Sequence, residues 1–165
     1  MTADMGLKVP SNVVQAGGNN IVLTAVADEA ITPTNLVKFD TSQALLIKQT
    51  ASGKNTLGVA DRNEDAIADD QDPMTHAYAD GEVVNVVIDG MVVVVADTTG
   101  FTRGGLVAAG DSDGAEVEDY TDTAANAGDT YLTANLEAIK DELGAIIGRA
   151  LTSAATTVKG VIKLF

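Results

Sequence analysis

The chain offers little that could do covalent chemistry. It has no cysteine and one histidine, His76, which lies inside an acidic stretch. Nucleophilic catalysis needs a Ser, Thr or Cys next to a positioned base, and a lone loop histidine without a partner is read as a surface residue. The run Gly110-Asp111-Ser112-Asp113-Gly114 resembles a serine nucleophile loop, but it lacks the second adjacent glycine and reads as a turn. Asp111 and Asp113 could open a calcium loop, yet a third acidic ligand and the bidentate Glu at the twelfth position are out of register. Glu64, Asp65, Asp69, Asp70 and Asp72 supply clustered oxygens suited to Ca²⁺ or Mg²⁺, and serve equally well as a solvated acidic face. Carboxylates abound, but with three Tyr, three Phe and no Trp there is little material for a sugar-stacking cleft. No dinucleotide fingerprint, phosphate loop or zinc spacing occurs. The reading is a non-enzymatic protein with no catalytic residue, no cofactor and no dedicated metal site.

Composition narrows the partners. A formal charge of −14 from 24 acidic and 10 basic residues repels phosphate backbones, so no nucleic-acid partner is expected. The excess of Asp over Glu and the scarcity of Lys suit a high-salt host, and equally an ordinary acidic surface. No apolar run is long enough to cross a bilayer as a helix, and no secretory signal layout opens the chain, so no membrane partner is expected. The length of 165 residues fits one domain, and a core rich in Val, Ala, Ile and Leu favours strands.

Residues 1–20 have isolated apolar positions and no sustained period, which predicts an extended N-terminal arm. A single β-rich domain then occupies 21–165. Within it, short β-branched runs punctuated by Gly, Asp, Asn and Pro predict strands near 21–27, 36–40, 44–49, 57–60, 82–88, 91–96, 106–108, 115–118, 146–151 and 157–164. The strongest local signal is Val83-Val84-Asn85-Val86-Val87-Ile88, Asp89-Gly90, then Met91 and four valines, which predicts a tight hairpin turning at Asp89-Gly90. Both faces of that pair should be covered, by the core on one side and on the other by a neighbouring element or a neighbouring subunit. Residues 61–80 read as a long acidic loop. Leu132, Leu136, Ile139 and Leu143 at helical spacing predict one short helix over 133–143, capped by Thr133 and ended by Gly144. Leu57-Gly58-Val59-Ala60 and Ile147-Gly148-Arg149-Ala150 echo each other, too briefly to define a repeat architecture.

The succession from Ile31-Thr32-Pro33-Thr34-Asn35-Leu36-Val37-Lys38-Phe39-Asp40-Thr41 through Ala44 to Gln49, then Leu57 to Ala60, resembles the lambda type of tailed-virus head decoration protein. The Val-rich pair from Glu82 to Ala96, the Ile147 to Leu151 stretch and the final Val158 to Leu164 strand are similar to the wider capsid cement family. The acidic stretch 61–80 and the helical segment depart from compact lambda-type members. That resemblance implies a mainly β body of barrel or sandwich kind (β-tulip type). It implies a homotrimer on the outer surface of the virion's icosahedral head, stabilising it by bridging neighbouring major capsid protein subunits. The arm would order on docking, by adding to the edge of a capsid element, and Leu7, Val9, Val13 and Val14 are its candidate capsid contacts. A rival from another class is a head fibre or adhesin-like module binding a host glycan or protein, with Tyr78, Tyr120 and Tyr131 as the available aromatics. A trimeric β-fold nucleotide hydrolase would need an Asp-centred metal motif that the sequence lacks.

Overall fold

The computed structural model describes residues 14–41, 45–49, 56–68, 71–110, 117–120 and 146–165. The protein is mainly β. Its strands are β1 (Gln15–Ala27), β2 (Leu36–Phe39), β3 (Leu46–Gln49), β4 (Gly58–Ala60), β5 (Val83–Val95), β6 (Leu106–Ala109), β7 (Val117–Asp119), β8 (Ile146–Ala150) and β9 (Lys159–Leu164). They form one nine-stranded sheet in the order β1-β3-β2-β4-β5-β9-β8-β6-β7, and β1 also pairs with β5. That extra pairing brings the first five strands back on themselves around Ala25, Ile31, Val37, Ile47, Tyr78, Val84 and Val86, all buried. A second cluster, including Val92, Val94, Phe101, Val107, Val117, Ile162 and Leu164, fills the other half and reaches back to Leu36, Val59 and Val87.

The two halves build the same unit twice. Leu36↔Val59 and Val37↔Gly58 across β2 and β4 correspond to Leu106↔Arg149 and Val107↔Gly148 across β6 and β8. Thr34 N–H donates to Ala60 O (3.0 Å) as Gly104 N–H donates to Ala150 O (2.9 Å), and both turn residues have left-handed φ, 75° and 86°. Ile31 bridges Tyr78 as Phe101 bridges Ala154. Asp28 N–H donates to Ile47 O (2.9 Å) as Asp97 N–H donates to Val117 O (2.8 Å). The short sequence echo therefore marks a true structural repeat. Its glycines have a physical cause: a Cβ on Gly58 would lie 2.2 Å from the Val87 carbonyl oxygen, and one on Gly148 2.2 Å from that of Lys163.

The hairpin expected at Asp89-Gly90 does not form. β5 runs straight through that dipeptide as one 13-residue strand, because each of its edges is already taken. β1 lies antiparallel along one edge (Val26↔Val83 to Gln15↔Val92), while β4 and then β9 occupy the other. Gly90 instead has φ 127°, and the space a side chain would fill there holds Asn20 Oδ1, 1.8 Å from an ideal Cβ. Irregular register in β1 between Gln15 and Val22 faces this point. Val84, Val86, Val92, Val93 and Val94 are fully buried by the two halves of one chain, so a neighbouring subunit is not what covers them.

Two further expectations meet the structure differently, and a third falls outside the described residues. Residues 15–20, read as arm, are strand β1, and Val14 before them is 0 % exposed. The acidic stretch is folded rather than an open loop: a single helical turn, α1 (Asp65–Ala68), is capped by Asn63, whose Oδ1 accepts from Asp65 N–H (3.1 Å). Residues 133–143 lie outside the described residues.

Candidate functional site

Among the described residues the sequence candidates for chemistry do not assemble. His76 ends a turn in which its N–H donates to Asp72 O (2.9 Å), and Asp72 Oδ1 accepts from Met74 N–H (2.9 Å). Asp61, nearly buried, accepts from Gln15 Nε2 and from Arg62 N–H, so its carboxylate ties the acidic segment to β1. Tyr78 is 5 % exposed, and its hydroxyl donates to Arg62 O (2.7 Å), with Asp61 O at 3.2 Å. Burial, reinforced by nearby Asp61, holds its pKa well above that of an ordinary phenol. Tyr78 is thus a core residue, not a platform for sugar. Among the described residues no group of three or more His, Cys, Asp or Glu is placed to hold a metal. Asp111, Ser112, Asp113, Tyr131, Leu7, Val9 and Val13 lie outside the described residues.

What remains is surface. Val14, a sequence candidate for capsid contact, is instead packed in the second core cluster, and its carbonyl accepts from Val93 N–H (2.7 Å). It roots whatever precedes it and has no side chain to offer a partner. The outer edge of β1 was missed by sequence reasoning. Asn85 O accepts from Asp61 N–H on the β4 side (2.8 Å), so its antiparallel partner Thr24 turns its own backbone groups away from β5, and so does Val22 two residues earlier. β3 joins this outer edge only from Val26, whose N–H donates to Leu45 O (3.0 Å). Ile21 (55 %), Val22 (42 %) and Leu45 (55 %) are exposed along it, and Val83 (62 %) is exposed on β5 next to Val26. From Gln15 to Ala27 there is no charged residue and no proline, in a chain of net charge −14. That uncharged run was the available sequence signal, hidden because the first six of these residues were assigned to the arm.

Ion pairs lie elsewhere. Lys163 pairs with Asp89 next to Gly90, and the ammonium lowers the Asp89 pKa. Lys48 pairs with Asp40 and Asp28, and those carboxylates raise its pKa.

Comparison with protein-family models matches residues 2–147 to the family described as XM1 gp53 minor capsid protein. This is a phage minor capsid family and not the lambda type of decoration protein. Among solved structures the chain is similar to the head fiber gp8.5 N base of bacteriophage phi29, with a TM-score of 0.54 at 11% identity. That alignment covers 89% of this chain and 95% of the other, and at such identity the likeness is one of fold. A search of curated proteins finds no match.

Proposed function

The chain belongs to the XM1 gp53 minor capsid protein family, and from that membership we propose a structural protein of the virion that binds the outside of the assembled head and stabilises it by bridging neighbouring major capsid protein subunits. The observation that carries this reading is the family match across most of the chain. The acidic surface supports an exterior position, because fourteen net negative charges are repelled by packaged nucleic acid. The N-terminal residues Leu7, Val9 and Val13 are the proposed capsid contacts, leaving from a root fixed at Val14. A segment ordered only on docking contributes modestly by itself and gains when several attachments act together.

The fold likeness to a head fiber base favours a second reading, a platform on the capsid that carries a fibre. Glycan recognition by Tyr78 has no support, since that ring is buried. The test is co-sedimentation of the protein with undecorated expanded capsids of its own virus. Saturable, stoichiometric binding that is lost on deleting residues 1–13 is expected; no binding by the full chain would sink the reading.

A further inference from the structure

We propose that the outer edge of β1 at residues 21–24 takes an added strand from the capsid protein, an extended segment that is apolar at alternate positions and neutral to basic in charge. This deepens the capsid-binding reading and rests on it.

The internal repeat supplies the first argument. Val26 of the first unit corresponds to Val95 of the second, since each is paired with the start of its own unit's last strand (Val26↔Val83, Val95↔Lys159). Residues 22–24 therefore correspond to 91–93. In the second unit that outer edge is filled by an antiparallel segment: Gln15 pairs Val92, Gly17 pairs Met91, and Val93 N–H donates to Val14 O (2.7 Å). In the first unit, no strand among the described residues lies beside Val22 and Thr24 on that side. The edge is built to the same plan, and no strand among the described residues fills it.

Second, the edge lacks two of the usual guards. Sheets protect open edges with charge, proline or bulges, and this stretch has no charge and no proline. Its irregular register ends at Val22, so residues 22–26 pair regularly. Backbone donors and acceptors beside exposed Ile21, Val22 and Leu45 match recognition by strand addition, where the main chain binds and alternate side chains select.

Third, charge distinguishes the occupants. Exposed Glu29, Asp80 and Glu82 flank the far end of this edge, where Ala27 N–H donates to Glu82 O (2.9 Å). A second copy would bring another fourteen net negative charges, whereas a neutral or basic segment meets no repulsion. Finally, Val14 and Thr24 are ten residues apart along β1 and its approach, roughly 30 Å at about 3.3 Å per residue. One anchor at each end of the molecule is what holding two neighbouring subunits requires.

The experiment compares the full chain with Val22→Pro and Val22→Lys in the capsid co-sedimentation assay, with solution mass and amide exchange measured on the free proteins. Proline removes an N–H that points away from β5, and lysine keeps every backbone group while adding a guard charge. Both variants should keep the wild-type melting temperature within a few degrees and bind capsids at least about tenfold more weakly, proline through a strand hydrogen bond left unmade and lysine through a charge that blocks the added strand. The Val22 and Thr24 amides should exchange fast in free protein and slowly on capsids. Full-chain binding with both variants within about twofold of wild type overturns the inference while leaving capsid binding intact. A fall in solution mass in the variants assigns the edge to a second copy, and slow exchange in the free protein assigns it to this chain's own N-terminal segment. Either result overturns the proposal. Failure of the full chain to bind overturns both readings.

Discussion

Replacing Gly90 with alanine tests whether β5 is one strand carrying both halves. Its φ of 127° is outside the range L residues adopt readily, at a cost of about 1–3 kcal/mol. The added methyl would also lie 1.8 Å from Asn20 Oδ1 and 2.6 Å from its Cγ, so the amide must leave. With it goes the bond that Asn20 Oδ1 accepts from Met91 N–H (3.0 Å), worth roughly 1 kcal/mol at a half-buried site. Gly90→Ala should therefore destabilise by roughly 2–4 kcal/mol. Asn20→Ala alone should cost only about 1 kcal/mol. Because the two substitutions lose the same hydrogen bond, the double variant should be at least about 1 kcal/mol more stable than the sum of the single effects implies. Urea denaturation of all four proteins, with m-values checked for constancy, gives the coupling. Strict additivity, or a Gly90→Ala cost below about 0.5 kcal/mol, would refute the reasoning, because a hairpin turning at Asp89-Gly90 would leave Asn20 unrelated to position 90.

The repeat predicts that Gly58→Ala and Gly148→Ala destabilise by similar amounts, about 2 kcal/mol or more, because each methyl meets a backbone oxygen of the next strand that cannot swing aside; a tolerated change at either site in chemical denaturation would contradict the equivalence. At the matched turn, Gly104→Thr should cost about 1–2 kcal/mol in the same denaturation series, since the site has left-handed φ and open space around it, so the cost is one of backbone conformation alone. Tyr78 keeps its proton more tightly when folded, so its share of stability is intact below the ordinary phenol pKa of 10.0 and declines as pH rises above it. Denaturation midpoints between pH 9 and 11 should fall in wild type and fall less in Tyr78→Phe; equal slopes would remove Tyr78 as the cause.

Much of the architecture was legible locally. The β-branched runs and their Gly, Asn and Pro boundaries placed the strands, because edge-to-edge spacing and burial select the same side chains wherever the sheet lies. The Asp89-Gly90 reading failed for a nameable reason: a local preference for a tight turn yields when both edges of the strand are occupied by β1, β4 and β9. The acidic segment 61–80 looked like a solvated loop because its charges outnumber its apolar residues, yet Ala66, Met74 and Tyr78 pin it to the body.

The sequence by itself determined a mainly β chain of strands bounded by Gly, Asn and Pro, with a net charge of −14. Only the tertiary structure decided that the chain makes one unit twice, since matching hydrogen bonds need matching backbone positions and not matching side chains. It also decided which β-branched residues are interior and which are exposed, because Ile21, Val22 and Val83 are chemically the same as Val84, Val86 and Val92. What separates them is which face of the sheet the rest of the chain covers, and that is fixed by contacts between residues far apart in the chain.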